Sequence, residues 1–347
     1  MKILIITDAW HPQTNGVVRT YEYLTRELEK QGHGTKVISP ADFKRRIPMP
    51  GYSEIELVLF PYRKMAKMIE IFSPDSIHIA TEGPLGWAAR KYCLKHDTPF
   101  TSSYHSQFPD YVAKRVACVF PFFYKSVHKI CLDMIRRFHA PSGALLITTE
   151  SMAKQLREWD IKATIYPFTR GIDESLFYIN DAALLQDLPK PISLYVGRIA
   201  IEKNIEEFLE MNWNGSKVVV GHGPDLDMLK KKYPEVLFTG KKTGKELADH
   251  YRAADVFVFP SYTDTFGIVI IEALSCGLPV AAHDVIGPRD IIKEDILGCL
   301  DEDLSKAAHK ALENGTKQQR HDYVAAHYTW SAAVDQFLYA THKAIGT

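Results

Sequence analysis

The chain lacks most of what would mark it for a metal, a membrane span or a nucleic acid. Its five cysteines among 347 residues, Cys93, Cys118, Cys131, Cys276 and Cys299, are scattered without metal-ligand spacing and read as reduced, mostly buried thiols. Neither charge sign is in excess: 42 Lys plus Arg balance 42 Asp plus Glu, which argues against a general nucleic-acid binder. The apolar run at the amino terminus, within Met1–Asp8, is too short for a signal peptide or a membrane span and reads as a first strand. No solenoid repeat or low-complexity tract stands out. The first glycine-bearing loop, around Gly16, is not Gly-x-Gly-x-x-Gly, so a dinucleotide site is poorly supported.

What is present is an alternation of strand and helix patterns over a length that suits two ordinary domains. Strand patterns recur at Lys2–Ile6, Thr35–Ser39, Ile55–Phe60, Ser76–Ala80, Pro99–Tyr104 and Gly143–Thr148, with helical spacing between them. Such alternation calls for mostly parallel sheets with right-handed crossovers. A boundary falls between Arg170 and Lys190, giving expected domains of residues 1–175 and 176–330.

The informative stretch runs from Ala254 to Gly277. Ala254–Phe259 reads as a buried strand, and helical spacing begins beyond Phe266 and stops at Gly277. The loop between them lies at a strand's carboxyl end, where open α/β sheets bind ligands. Gly267 leaves room there, and free amides suit a phosphate. If Asp264 ends the loop and Glu272 sits two helical turns on, about 12 Å of rise separates the two acids. That is too far for one metal and suits two ends of one long ligand. Upstream, Gly197-Arg198-x4-Lys203-Asn204 follows a strand and opens a helix, with Asn204 as its expected cap. Two cations flanking such a loop make a clamp for a diphosphate, Arg gripping two oxygens and Lys adding a point charge. Asp225-Leu226-Asp227 sits at a helix start, where acids favour the dipole, and is not read as a metal site.

Thr265-Phe266-Gly267 and Glu272-Ala273, with an acid eight positions before Glu272, resemble the signature of retaining glycosyltransferase family 4, whose two Rossmann-like, doubly wound domains form the α/β fold called GT-B. The usual Glu-x7-Glu has Asp264 in its first place here. The resemblance implies an amino-terminal acceptor domain, to which a last helix over 331–347 returns, and a carboxy-terminal nucleotide-sugar domain across a cleft that closes on binding. It implies His105, Arg198, Lys203 and Asp264 as catalytic residues. It implies donor contacts from Asn15, Gly16, Gly197, Gly240, Lys241, Thr265, Phe266, Gly267 and Glu272, with Glu272 on the ribose. Neither a metal nor another cofactor is expected. The implied reaction moves a hexose-type sugar from a UDP- or GDP-linked donor to a hydroxyl acceptor with retention, the expected acceptor being a membrane lipid such as diacylglycerol. Alternatives are a glycan-directed transferase, a nucleotide-sugar epimerase and a non-catalytic nucleotide-sugar-binding module.

Tyr111–Phe138 interleaves Lys114, Arg115, Lys125, Lys129, Arg136 and Arg137 with aromatic and aliphatic residues, a composition suited to an anionic membrane interface. Pro121 breaks any single long helix there. Peripheral contact from the cytoplasm, at the inner membrane face, is the expectation.

Overall fold

The structure, a computed structural model, describes residues 1–13, 15–49, 52–105, 109 and 121–346, the side chains of residues 52–54 and 121 excepted. In chain order the first elements are β1 (Lys2–Ile6), α1 (Gly16–Lys30), β2 (Gly34–Ile38), β3 (Arg46–Met49), β4 (Tyr52–Val58), α2 (Tyr62–Phe72), β5 (Ser76–Ile79), α3 (Pro84–Lys95), β6 (Phe100–Ser103), α4 (Tyr124–His139), β7 (Ala144–Ile147), α5 (Glu150–Glu158) and β8 (Ile165–Pro167). There follow β9 (Ile192–Val196), α6 (Ile205–Glu210), β10 (Ser216–Val220), α7 (Leu226–Lys232), β11 (Leu237–Gly240), α8 (Gly244–Ala253), β12 (Val256–Phe259), α9 (Ile268–Ser275), β13 (Val280–Ala282), α10 (Pro288–Ile291), β14 (Gly298–Leu300), α11 (Leu304–Ala311), α12 (Lys317–His327) and α13 (Trp330–Ile345). The chain divides into two compact units, Met1–Arg170 with Trp330–Thr347, and Gly171–Thr329.

In the first unit the strands lie in the order β2-β1-β5-β6-β7-β8, every pairing parallel. Period-2 alternation feeds a core on each face: Leu4 and Ile6 join Ile77, Ile79 and Phe100 on one side, while Ile3 and Ile5 meet Tyr21, Leu24 and Phe337 on the other. Burying a Val- or Leu-sized side chain in this way contributes about 1.5–3 kcal/mol. The helix α13 packs on α1, with Trp330 stacked on Tyr23 at 4.9 Å and Gln336 Oε1 accepting from Thr169 N at 2.7 Å. It starts at Trp330, one residue before the expected helix over 331–347. The stretch from Ile55 was expected to supply another strand of the parallel sheet. It pairs instead with β3 in a separate antiparallel hairpin. Ile165–Pro167, for which no strand was expected, pairs with β7 as the sixth strand.

The second unit has the order β11-β10-β9-β12-β13-β14, again parallel throughout. Val218, Val220, Phe257 and Phe259 face one core, and Val219, Val256 and Val258 the other. The order reverses between β9 and β12, which makes the carboxyl ends of those two strands the topological switch point. The glycine turns after β9 and β10 are packed backbone to backbone. Gly197 N donates to Val220 O and Ile199 N to His222 O, and a Cβ on Gly221 would lie 1.9 Å from Gly197 O. Only glycine fits there. At the end of α9, Gly277 adopts φ +86 and Leu278 N reaches back to Ala273 O, a Schellman-type stop.

Candidate functional site

At the switch point of the second unit, the loops after β9 and β12 are tied together by three contacts. Lys203 Nζ donates to Asp264 Oδ1 at 2.6 Å, Thr263 Oγ1 to Glu202 O at 3.4 Å, and Asn204 Nδ2 to Pro260 O at 3.2 Å. Asn204 stands at the start of α6 as expected, but its side chain makes no cap bond. The residue takes a left-handed conformation (φ +53), and its amide nitrogen donates to Pro260 O of the neighbouring loop and to the Glu207 carboxylate in the first turn of α6. Arg198 Nε lies 3.8 Å from Glu202 Oε1. Beneath them Tyr195 Oη donates to Arg198 O at 2.7 Å, and a Cβ on Gly197 would meet that hydroxyl at 2.8 Å. The Tyr195 hydroxyl is held well above its ordinary pKa by burial first, then by Asp264 and Glu202, which places both acids in the same neighbourhood. Burial, the largest single influence, opposes ionisation of Asp264, yet the Lys203 charge together with hydrogen bonds from Lys203 and Ser261 keeps the carboxyl below its usual value. Its second oxygen, Oδ2, is buried with no hydrogen-bond partner.

The remaining expected donor residues line neighbouring positions. Gly267 precedes α9 at φ +93, and Thr265 and Phe266 are buried, Phe266 edge-on to Tyr328 at 5.7 Å. Gly240 ends β11 at φ +77 with open space where a Cβ would go, and Lys241 after it is exposed. Gly287, which sequence reasoning missed, supports the loop from below: at φ +94, a Cβ on it would meet Asp264 O and Phe266 O at 2.9 Å. Glu272 differs from expectation. α9 begins at Ile268, so only about 6 Å of helical rise precedes Glu272, one turn rather than two. The side chain is 2% exposed and its Oε2 accepts from Tyr251 Oη of α8 at 2.9 Å. Asp225 and Asp227 lie at the start of α7.

In the first unit, Asn15 Oδ1 accepts from Val17 N and Val18 N at 3.0 Å, capping α1 at Gly16. Its carbonyl oxygen thus serves the helix, not an open loop. His105 follows β6. Its Nε2 lies 2.8 Å from Tyr21 Oη, and its Nδ1 accepts from Arg170 Nη2 at 3.1 Å. Tyr21 Oη also lies 2.8 Å from His78 Nε2 and donates to Ser103 Oγ at 3.0 Å. Asp8, at the end of β1, accepts from Leu85 N and Gly86 N at the start of α3 and from Thr81 Oγ1. Burial pushes its carboxyl up to about 6 against those three bonds. Tyr21, His78, Ser103 and Arg170 carried no sequence signal, because their partners are far apart in the chain.

Of the expected membrane segment, residues 111–120, including Lys114 and Arg115, lie outside the described residues. The remainder forms Phe122, Phe123 and α4, with Phe122 97%, Phe123 57% and Ile130 67% exposed beside exposed Lys125 and Lys129. Cys131, Ile135 and Phe138 face inward. Among the described residues no helix is long and apolar enough to cross a membrane, and no group of three or more His, Cys, Asp or Glu is placed to hold a metal ion. The four described cysteines are buried free thiols, and Cys118 lies outside the described residues.

Two Rossmann-like units, each an all-parallel six-stranded sheet, with cations and an acid gathered at the second sheet's switch point, give the chain the GT-B fold. The chain belongs to the family-4 glycosyltransferases: residues 14–176 match the family model described as Glycosyltransferase Family 4, and residues 179–330 that described as Glycosyl transferases group 1. It is therefore a glycosyltransferase that uses a nucleotide sugar. It is 29% identical over 330 residues to a GDP-mannose-dependent alpha-mannosyltransferase of Mycobacterium tuberculosis, covering 86% of this chain and 83% of that one. It is likewise 29% identical over 357 residues to an alpha-monoglucosyldiacylglycerol synthase of Streptococcus pneumoniae, covering 90% and 78%. In fold it resembles a sucrose-phosphate synthase from Thermosynechococcus elongatus, with a TM-score of 0.77 and 23% identity over 97% of this chain and 98% of that one.

Proposed function

We propose that this protein is a retaining hexosyltransferase that moves a sugar from a UDP- or GDP-linked donor to the hydroxyl of a membrane lipid such as diacylglycerol. The observation that carries the donor half is the switch-point cluster, in which Arg198, Lys203 and Asp264 share one pair of loops. The departing diphosphate gains charge as its bond to the anomeric carbon breaks, and Arg198 and Lys203 meet that charge without a metal. Asp264, with an oxygen lacking a partner, accepts from the sugar's hydroxyls. The acceptor hydroxyl attacks the anomeric carbon on the face the diphosphate leaves. A new carbon–oxygen bond forms as the old one breaks, and the hydroxyl proton passes to the leaving phosphate oxygen. Retention is supported by relatives whose names specify alpha products. Glu272 is assigned to the ribose only with a rearrangement of its bond to Tyr251.

The lipid acceptor is supported by the diacylglycerol named for one relative and by the exposed Phe122, Phe123 and Ile130 beside Lys125 and Lys129. We place the protein at the inner face of a membrane, in peripheral contact. Arg198→Ala tests the clamp: transfer measured by release of nucleoside diphosphate should fall about a hundredfold, the equivalent of roughly 3 kcal/mol, with an unchanged circular dichroism spectrum. Near-normal turnover by that variant overturns the assignment. Chelator in the assay should leave the wild-type rate unaltered.

A further inference from the structure

Arg170 is a cation in the interior of the first unit without a carboxylate. It is 3% exposed, and among the described residues no acid pairs with it. Its Nη1 donates to the carbonyls of Phe168 and Thr169 at 2.8 and 2.9 Å, its guanidinium lies over the Phe168 ring at 4.5 Å, and its Nη2 donates to His105 Nδ1 at 3.1 Å. Buried charges are costly unless paired, so an arginine retained here with only neutral partners calls for a reason.

The reason lies in the direction of the bonds. A guanidinium has five donors and no acceptor, so His105 Nδ1 in contact with it must present a lone pair. The ring proton then sits on Nε2 and points to Tyr21 Oη at 2.8 Å. Tyr21, having accepted that proton's bond, donates onward to Ser103 Oγ or His78 Nε2, and His78 Nδ1 is fixed in turn by Thr101 Oγ1 at 2.8 Å. We propose that Arg170 and Tyr21 are positioning residues that hold His105 as the neutral tautomer protonated at Nε2, which bars it from taking the acceptor's proton. This rests on the transferase reading above and deepens it: with both nitrogens committed, His105 orients and the proton has to leave with the phosphate.

Among the described residues, the groups that face His105 include Tyr21 of α1, His78 of β5, His139 of α4 and Arg170 after β8. The imidazole is held well below its ordinary pKa by burial first, then by Arg170, His78 and His139. Burial and then Arg170 push His78 down to about 3, so the second imidazole stays neutral as well. Nothing in the set supplies a proton to His105 near neutrality.

The test needs no substrate, so its failure is distinct from failure of the transferase reading. Two-bond proton–nitrogen correlation spectra are recorded on the full chain labelled with ¹⁵N-histidine, and the His105 signals are identified by their loss in His105→Asn. The wild type should show a pyridine-type Nδ1 and a pyrrole-type Nε2, unchanged from pH 5 to 8. Arg170→Met should release the ring to mixed tautomers and raise its pKa, though short of the ordinary histidine value because the ring stays buried. Arg170→Lys, which keeps a donor, should preserve the wild-type pattern. A wild-type ring protonated at Nδ1 overturns the proposal even if the variants do not fold. So does a folded Arg170→Met protein with unaltered His105 signals.

Discussion

The Lys203–Asp264 pair offers the sharpest perturbation, because its removal has consequences for stability and for ligand binding that differ in their pH dependence. The two side chains are 27% and 25% exposed, between the surface and the interior, and joined at 2.6 Å. Exposed pairs contribute about 0.2–1 kcal/mol, whereas leaving one partner of a buried pair alone costs about 3–5 kcal/mol. Lys203→Met should therefore cost about 2 kcal/mol at pH 7, read from urea unfolding. The charge of Asp264 is at stake: its folded carboxyl titrates below the unfolded value, since the Lys203 charge and the hydrogen bonds from Lys203 and Ser261 together exceed the burial that opposes ionisation. Stability from a depressed carboxyl is fully present above the unfolded pKa, near 3.8, and is lost as pH falls through the folded one. The gap between wild type and Lys203→Met should accordingly narrow once the pH drops below about 4. In parallel, the thermal shift given by UDP or GDP should weaken as the apparent Kd rises at least about tenfold. A variant of wild-type stability at pH 7 that still binds both nucleotides normally would refute the reasoning on both counts.

Other outcomes follow from single contacts. Gly221→Ala puts a Cβ 1.9 Å from Gly197 O, which the backbone-to-backbone turn has no room to relieve, so a loss of about 3 kcal/mol or more in unfolding free energy is expected, with a lower Tm. Asp8, with a folded pKa of about 6 above its unfolded value, gives stability that is full below about pH 4 and lost as pH rises toward 6. Asp8→Asn should flatten that dependence in denaturation measured at pH 4.5 and 7.5, and an unchanged slope would remove Asp8 as its source. Sedimentation with anionic vesicles should fall severalfold for Phe122→Ser with Phe123→Ser, while hydrolysis of the donor in the absence of vesicles stays the same. Equal sedimentation of both proteins would dismiss this face as the membrane contact.

Much of the second unit was legible because its chemistry is local. Gly197, Arg198, Lys203 and Asn204 fall within eight positions at one strand end, and the apolar run before Asp264 announces a strand whose carboxyl end carries the loop. What those residues touch was not legible. Asn204 has the composition of a cap, yet its amide goes to Pro260 O, a partner brought close only by the order β9-β12. Glu272 sits among apolar residues, and the hydroxyl that satisfies its buried carboxylate comes from Tyr251, one helix away. The hairpin of β3 and β4 escaped because a single apolar run does not say whether its neighbour will be parallel or antiparallel. The network around His105 draws on Tyr21, His78 and Arg170, separated by 57 to 84 positions from their partners along the chain. No spacing rule spans that distance.

The acids at the switch point balance the charge of the clamp within the domain that carries it. Two cations on the loop after β9 would repel each other and draw water into the sheet's end, but each stands near an acid, Lys203 on Asp264 of the adjoining loop and Arg198 by Glu202 of its own. On the proposed reading a diphosphate replaces those acids as the counter-charge, and Asp264 then loses the partner that keeps it ionised. A donor that brings hydroxyls with its diphosphate supplies bonds to Asp264 in the same event, whereas a bare nucleoside diphosphate leaves that carboxylate short. On that reading the pair Lys203–Asp264 would couple recognition of the phosphates to recognition of the sugar. Shortening the first acid from Glu to Asp keeps that coupling close, since Asp264 reaches Lys203 directly at 2.6 Å.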